Sequence, residues 1–158
     1  MNLHTKLQQR QANNNPIRIG LIGAGNIGSI VADRALGLKM KVVAYDPFLT
    51  DERATQLGVE KVELDELLKR ADIITLHTPL TDQTKNILSA ENLKKTKKGV
   101  ILVNCARGGL VDEAALRAYL VRMGFSPSPT VSEPGDYSVR GGIIDVFPPG
   151  EGGPVRLD

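Results

Sequence analysis

The chain has 158 residues, enough for one domain with a real core, and a formal net charge of +2 with both signs interspersed. That balance argues against a nucleic-acid partner, and Lys94, Lys95, Lys97 and Lys98 read as a solvated helix end without the wider basic face and aromatics such a surface needs. A single cysteine, Cys105, excludes an internal disulfide, the polar first residues lack a signal-peptide core, and no apolar run reaches membrane-spanning length, so a cytoplasmic chain without membrane contact is expected.

Residues 1–16 are rich in Gln and Asn, with only Leu3 and Leu7 spaced to share a helix face, and are expected to form a flexible leader. An apolar β-type run, Ile17 to Ile22, then flows into Gly23-Ala24-Gly25-Asn26-Ile27-Gly28. The following helix is expected to bury Ile27, Ile30, Val31, Ala35 and Leu38 and to stop near Gly37. Lys41 to Tyr45 reads as a second strand, closed by Asp46-Pro47 because proline cannot donate to a ladder.

Val59 to Val62 suggests a short third strand, and Leu64, Leu67, Leu68 and Ala71 have helical spacing. Asp72 to Leu76 is a continuous apolar run of the kind buried on both faces of a parallel sheet, opening into His77-Thr78-Pro79-Leu80. A polar helical stretch over roughly residues 82–95 leads to another buried strand, Gly99 to Asn104. The last helix takes Asp112 as N-cap, turns Leu116, Tyr119, Leu120 and Met123 inward, and ends at Gly124.

Strands alternating with helices predict an α/β fold over residues 17–124, a doubly wound parallel sheet with right-handed crossovers. The composition shifts after that. Six of the nine prolines lie from Pro127 onward, and Gly142 to Phe147 is the strongest strand there, so residues 125–158 are expected as an irregular or β-hairpin tail with one or two short strands.

The glycine turn carries the chemistry. G-x-G-x-x-G between a strand and a helix presents bare backbone N–H groups to a pyrophosphate at the positive end of the helix. Gly23 permits the tight turn, Gly25 lets phosphates approach, and Gly28 lets the helix pack against the strand. Asp46 lies roughly 20 residues further on, where a carboxylate accepts the two hydroxyls of an adenine ribose. Its charge repels a 2′-phosphate, and no arginine follows immediately, which favours NAD over NADP.

Thr78 and Pro79 end a strand on the cofactor side and are expected to contact it. His77 is more simply a satisfied loop histidine than a catalyst, and Cys105 more simply a small apolar filler than a nucleophile. Arg107 follows a strand within Asn104-Cys105-Ala106-Arg107-Gly108-Gly109, and its planar fork suits the carboxylate of a 2-oxo acid. No metal-ligand set is expected.

Residues 17–118 closely resemble the NAD-binding, Rossmann-like domain of the D-2-hydroxyacid dehydrogenases, and among them the phosphoglycerate dehydrogenases. The matching segments are GNIGSIVADRALGLKMKVVAYDPF, GVEKVELDELLKRADIITLHTPLTDQTKNILSAENL and KKGVILVNCARGGLVDEAAL. The resemblance implies that Arg107 binds and polarises a 2-hydroxy or 2-oxo acid substrate and that Asp46 holds the ribose. It also implies that the backbone at Asn26 and Ile27 meets the pyrophosphate, and that Thr78, Cys105 and Ala106 line the nicotinamide side. The family's catalytic histidine, downstream of an Asp-Val-Phe segment, has no counterpart after Asp145-Val146-Phe147, and its two-ended substrate domain has no counterpart either.

Residues 119–158, especially SEPGDYSVRGGIIDVFPPGEGGPVRLD, resemble instead a segment of the bacterial transcription-repair coupling factor, with Tyr137 to Phe147 and Pro154 to Leu157 as antiparallel strands. The leader and first strand are somewhat similar to the start of homoserine-dehydrogenase-like oxidoreductases. A mosaic with a junction near Leu116 to Gly124 accounts for this; alternatively, Gly142 to Phe147 stands in for the family's own sixth strand. Four readings stay open: an NAD-binding domain with little or no turnover, a dehydrogenase completed by a partner chain, a DNA-repair interaction module, and a recombined chain without selected function. No G-x-x-x-x-G-K-[ST] loop is present to support ATP-driven translocation. Open apolar faces would favour self-association into a homo-oligomer.

Overall fold

The computed structural model describes residues 16–140, 143–150 and 152–157, so the expected leader lies almost wholly outside the described residues. Two compact units are present, one of residues up to Pro79 with Glu91–Ala106, the other of Leu80–Ala90 with Arg107–Asp158.

The first unit is a five-stranded parallel sheet of β1 (Arg18–Ile22), β2 (Lys41–Tyr45), β3 (Glu60–Lys61), β4 (Ile73–Leu76) and β5 (Ile101–Asn104), in the order β3-β2-β1-β4-β5. Parallel neighbours require crossovers, and these carry α1 (Asn26–Gly37), α2 (Asp51–Leu57) and α3 (Leu64–Arg70), with α4 (Ala90–Lys94) before β5. Leu21, Ile22, Val43, Ile74 and Leu76 from the three central strands are fully buried, as are Leu67 and Leu68 of α3. The continuous apolar runs of β1, β2 and β4 follow from that burial, because a sheet covered by helices leaves no face for water. The doubly wound architecture is therefore the one expected.

Several local expectations need correction. α1 buries Gly28, Ala32 and Ala35, while Ile27 and Ile30 stay 63% and 55% exposed and Leu38 is exposed too. The helical period holds but its phase differs, because small side chains on the inner face let the helix approach the sheet closely. α2 was not anticipated. Its sequence buries Ala54 alone, and it is set by its ends, where the Thr50 hydroxyl accepts from the Arg53 N–H at 3.2 Å and Gly58 closes it in the left-handed region. The helix expected over residues 82–95 shrinks to α4, with Leu88 bridged to Val111 in the second unit. β5 is a sheet edge with Val103 partly exposed rather than a strand buried on both faces.

In the second unit a short 3-10 turn (Gly108–Leu110) precedes α5 (Glu113–Arg122), capped by the Asp112 carboxylate, which accepts from the Ala115 N–H at 3.0 Å. Leu120 turns inward with Leu116, but Tyr119 and Met123 are exposed, against expectation. A small mixed sheet follows, β6 (Ser126–Pro127), β7 (Asp136–Arg140), β8 (Ile143–Val146) and β9 (Val155–Leu157). β6 and β7 are parallel, and β7, β8 and β9 antiparallel, so the tail holds four strands where one or two were expected. Tyr137, Ile144 and Val146 form its core with Leu120. No helix among the described residues is long and apolar enough to cross a membrane.

Candidate functional site

The order of the main sheet reverses between β1 and β4, since the chain winds outward to β2 and β3 on one side and returns to β4 and β5 on the other. Loops after those two strands part there and leave a crevice, the usual ligand position in open α/β sheets. The turn Gly23–Gly25 leaves β1 at this point, and His77 and Thr78 leave β4.

The turn is built for close packing. Gly23 has φ +93 and donates its N–H to the Tyr45 carbonyl at 2.9 Å. A Cβ there would lie 2.7 Å from the His77 carbonyl group, and one on Gly28 would lie 2.1 Å from the Gly23 oxygen. Gly25, by contrast, faces open space, with nothing within 4 Å of a Cβ. It is the N-cap of α1, and the first intrahelical bond runs from Ser29 to its carbonyl at 2.8 Å. The N–H groups of Asn26, Ile27 and Gly28 make no hydrogen bond among the described residues, as the first turn of a helix requires unless a ligand or cap intervenes. Unused donors, open space over Gly25 and the positive helix end fit a pyrophosphate.

Asp46 is joined to that turn directly. Its Oδ2 accepts from the Ala24 N–H at 2.8 Å and its Oδ1 from the Phe48 N–H at 2.8 Å, so both oxygens are oriented at the end of β2. The sequence spacing anticipated the carboxylate, but not the role of Ala24, whose contribution is a backbone donor and leaves no mark in residue type.

His77 continues the β1–β4 pairing one step, donating its N–H to the Ile22 carbonyl at 2.8 Å. Its Nε2 lies 2.8 Å from the hydroxyl of buried Thr75, and burial holds the imidazole below its ordinary pKa. Thr78 packs its backbone N against Gly23, while Pro79 is exposed beyond it. Cys105 is exposed just past β5, and the Ala106 N–H donates to Asn104 Oδ1 at 3.1 Å. The first unit thus brings the glycine turn, Asp46, Thr78, Pro79, Cys105 and Ala106 to the carboxyl edge of one sheet. Arg107 begins the second unit, exposed, in extended backbone ahead of the 3-10 turn.

A strand–glycine turn–helix unit at a switch point, with a carboxylate tied to the turn, defines a dinucleotide-binding domain of the Rossmann type. The chain belongs to the D-isomer specific 2-hydroxyacid dehydrogenases, whose NAD binding domain model matches residues 3–124. D-3-phosphoglycerate dehydrogenase of Bacillus subtilis is 56% identical over 98 residues, which are 62% of this chain and 19% of that protein. Among solved structures, D-lactate dehydrogenase with NAD+ from Lactobacillus jensenii superposes with a TM-score of 0.62 and 42% identity, over 67% of this chain and 32% of that one. The Aquifex aeolicus D-lactate dehydrogenase complexed with NAD and lactic acid gives a TM-score of 0.62 at 36% identity, over 73% of this chain and 39% of that one. The chain therefore spans less than half the length of these relatives. A second family model, the UvrB interaction domain, matches residues 103–158 and overlaps the first over residues 103–124.

Proposed function

We propose that this chain holds NAD through Gly23, Gly25, Asn26, Ile27, Gly28, Asp46, Thr78, Pro79, Cys105 and Ala106, and that Arg107 engages the carboxylate of a 2-hydroxy or 2-oxo acid. The single observation that carries the reading is the bond between the Ala24 N–H and Asp46 Oδ2, which sets the ribose acceptor and the phosphate turn in one rigid piece. Arg107 follows Ala106 directly in the chain, and its planar fork suits such a carboxylate. The chain contains two histidines, His4 and His77, and neither follows the Asp145-Val146-Phe147 segment where the family resemblance places the proton donor. A positioned general acid contributes typically about 10²–10⁴-fold. Titration with NADH, followed by its fluorescence, is expected to saturate. Addition of 3-phosphoglycerate with NAD is expected to yield negligible NADH, and no saturation at millimolar NADH would overturn the cofactor reading.

A second reading concerns the tail. The UvrB interaction domain match over residues 103–158 supports a mosaic in which a protein-docking module follows the NAD domain. Its separate core of Leu120, Tyr137, Ile144 and Val146 supports the same division. Calorimetry is expected to resolve two transitions, with NADH raising only one. One shared transition would remove this reading. Self-association, which exposed Tyr119, Val121 and Met123 on α5 would favour, is read from the mass in solution by light scattering.

A further inference from the structure

We propose that His77 takes up a proton as the pyrophosphate of the dinucleotide settles on the glycine turn, so that cofactor affinity rises as pH falls. The inference rests on the NAD reading and adds a proton to it.

The backbone roots His77 at the turn. Its N–H is bonded to Ile22, its carbonyl group lies where a Cβ on Gly23 would come to 2.7 Å, and its own Cβ would lie 3.6 Å from a Cβ on Gly28. The side chain thus starts beside the first turn of α1, at the helix end whose Asn26, Ile27 and Gly28 N–H groups make no hydrogen bond among the described residues. One ring nitrogen is taken by Thr75, which is only 4% exposed, and the other has no partner among the described residues.

Burial disfavours the charged form of the ring before a ligand arrives. The charged groups on the surrounding elements leave that balance alone. Arg18 lies at the far end of β1, and Asp33 and Arg34 pair with each other on the exposed side of α1 at 2.7 Å. Asp72, ahead of β4, is held by Lys97 at 2.9 Å, Asp46 by the turn itself, and Cys105 stands exposed after β5. Burial alone accounts for the lowered value.

A bound pyrophosphate changes the field, because two fixed negative charges then meet the helix end beside the root of His77. The sign follows from linkage. A pKa higher in the complex than in the free protein means proton uptake on binding, with affinity climbing as pH falls through the bound-state value and levelling below the free-state one. Each unit of difference between the two values is a tenfold change in affinity at that limit.

The probe is ADP-ribose, which carries the adenosine and pyrophosphate without the redox ring. Calorimetric titration of the full chain at pH 7.5, 6.5 and 5.5, in buffers of unlike ionisation enthalpy, is expected to show net proton uptake and binding roughly three- to tenfold tighter at the lowest pH. His77→Gln is expected to lose both the uptake and the slope, and His4→Gln to keep them. A merely structural His77 would weaken binding equally at every pH in His77→Gln, which overturns the proposal, as does wild-type binding without uptake. Should His77→Gln fail to fold, the wild-type uptake and the His4→Gln control still decide. Absence of ADP-ribose binding at every pH would overturn the NAD reading together with this one, whereas pH-independent binding overturns this one alone.

Discussion

The Ala24 N–H donates to Asp46 Oδ2 at 2.8 Å, a bond that joins two residues 22 positions apart and ties the phosphate turn to the tip of β2. The carboxylate proposed as the ribose acceptor is therefore not a free surface group. It is oriented by backbone donors on both oxygens, which reduces what a ligand must spend on ordering it.

Removing that carboxylate should damage binding twice, by loss of the ribose contact and by release of the turn. A charge-assisted hydrogen bond is worth about 1.5–3 kcal/mol, so Asp46→Ala is expected to raise the NADH dissociation constant about tenfold or more. Its affinity for NADPH should fall less, since the lost charge no longer opposes a 2′-phosphate. Parallel fluorescence titrations with the two cofactors check the ratio. Equal losses for both would show that the charge takes no part in discrimination.

The glycines of the turn divide into two kinds. A methyl group on Gly28 would lie 2.1 Å from the Gly23 oxygen, so Gly28→Ala must displace backbone, and a large stability loss of several kcal/mol is expected. Gly25 has open space before it and a negative φ of −69, so Gly25→Ala should leave stability within about 1 kcal/mol while blocking phosphate approach. Urea unfolding and NADH titration of each variant separate the effects. Equal stability losses would show that the space over Gly25 is not open.

Much of the fold was legible in the sequence because the buried strands carry unbroken apolar runs and the turn carries Gly23 and Gly28, where a Cβ does not fit. What escaped was written in weaker letters. α2 has no apolar face to speak of and is fixed by Thr50 and Gly58 at its ends. α1 shows its large residues to solvent and its small ones to the sheet, so a reading that sends the large apolar residues inward rotates it to the wrong side. Tyr119 and Met123 misled in the same way, since α5 packs on the small sheet through Leu116 and Leu120. In the candidate site, the spacing picked out Asp46, but its bond to the Ala24 N–H leaves no trace in residue type.

Acid stability should carry the mark of Glu60. Arg70, at the end of α3, donates to both of its oxygens at 2.7 and 2.6 Å, and this pair holds the Glu60 carboxyl below its ordinary value. A carboxylate lowered in the folded state stabilises fully above its unfolded pKa and loses that contribution as pH falls through the folded one. Glu60 is well exposed, so Glu60→Gln is expected to cost only about 0–1 kcal/mol at neutral pH, less in high salt, and nothing once both states are protonated. Urea midpoints measured from pH 7 to pH 3 should therefore converge for the two proteins. A constant gap would place the effect in packing.

Asp72 offers the opposite test, at the edge of the sheet remote from the site. Its Oδ2 accepts from the Arg18 N–H at the start of β1, and its Oδ1 from Lys97 Nζ, each at 2.9 Å, with its side chain only 10% exposed. The carboxylate thus ties β1 and the segment before β5 to the entry of β4. Asp72→Ala leaves a partly buried N–H and an ammonium group without that acceptor, and hydrogen bonds to charged groups contribute about 1.5–3 kcal/mol. The expected result is a lower urea midpoint with the slope unchanged and NADH affinity of the folded protein preserved, because the turn, Asp46 and His77 lie at the other ends of the same strands. Loss of affinity without loss of stability would mean that strain at the amino edge reaches the crevice through β1 and β4. The rigid-sheet argument for the site would then fail with it.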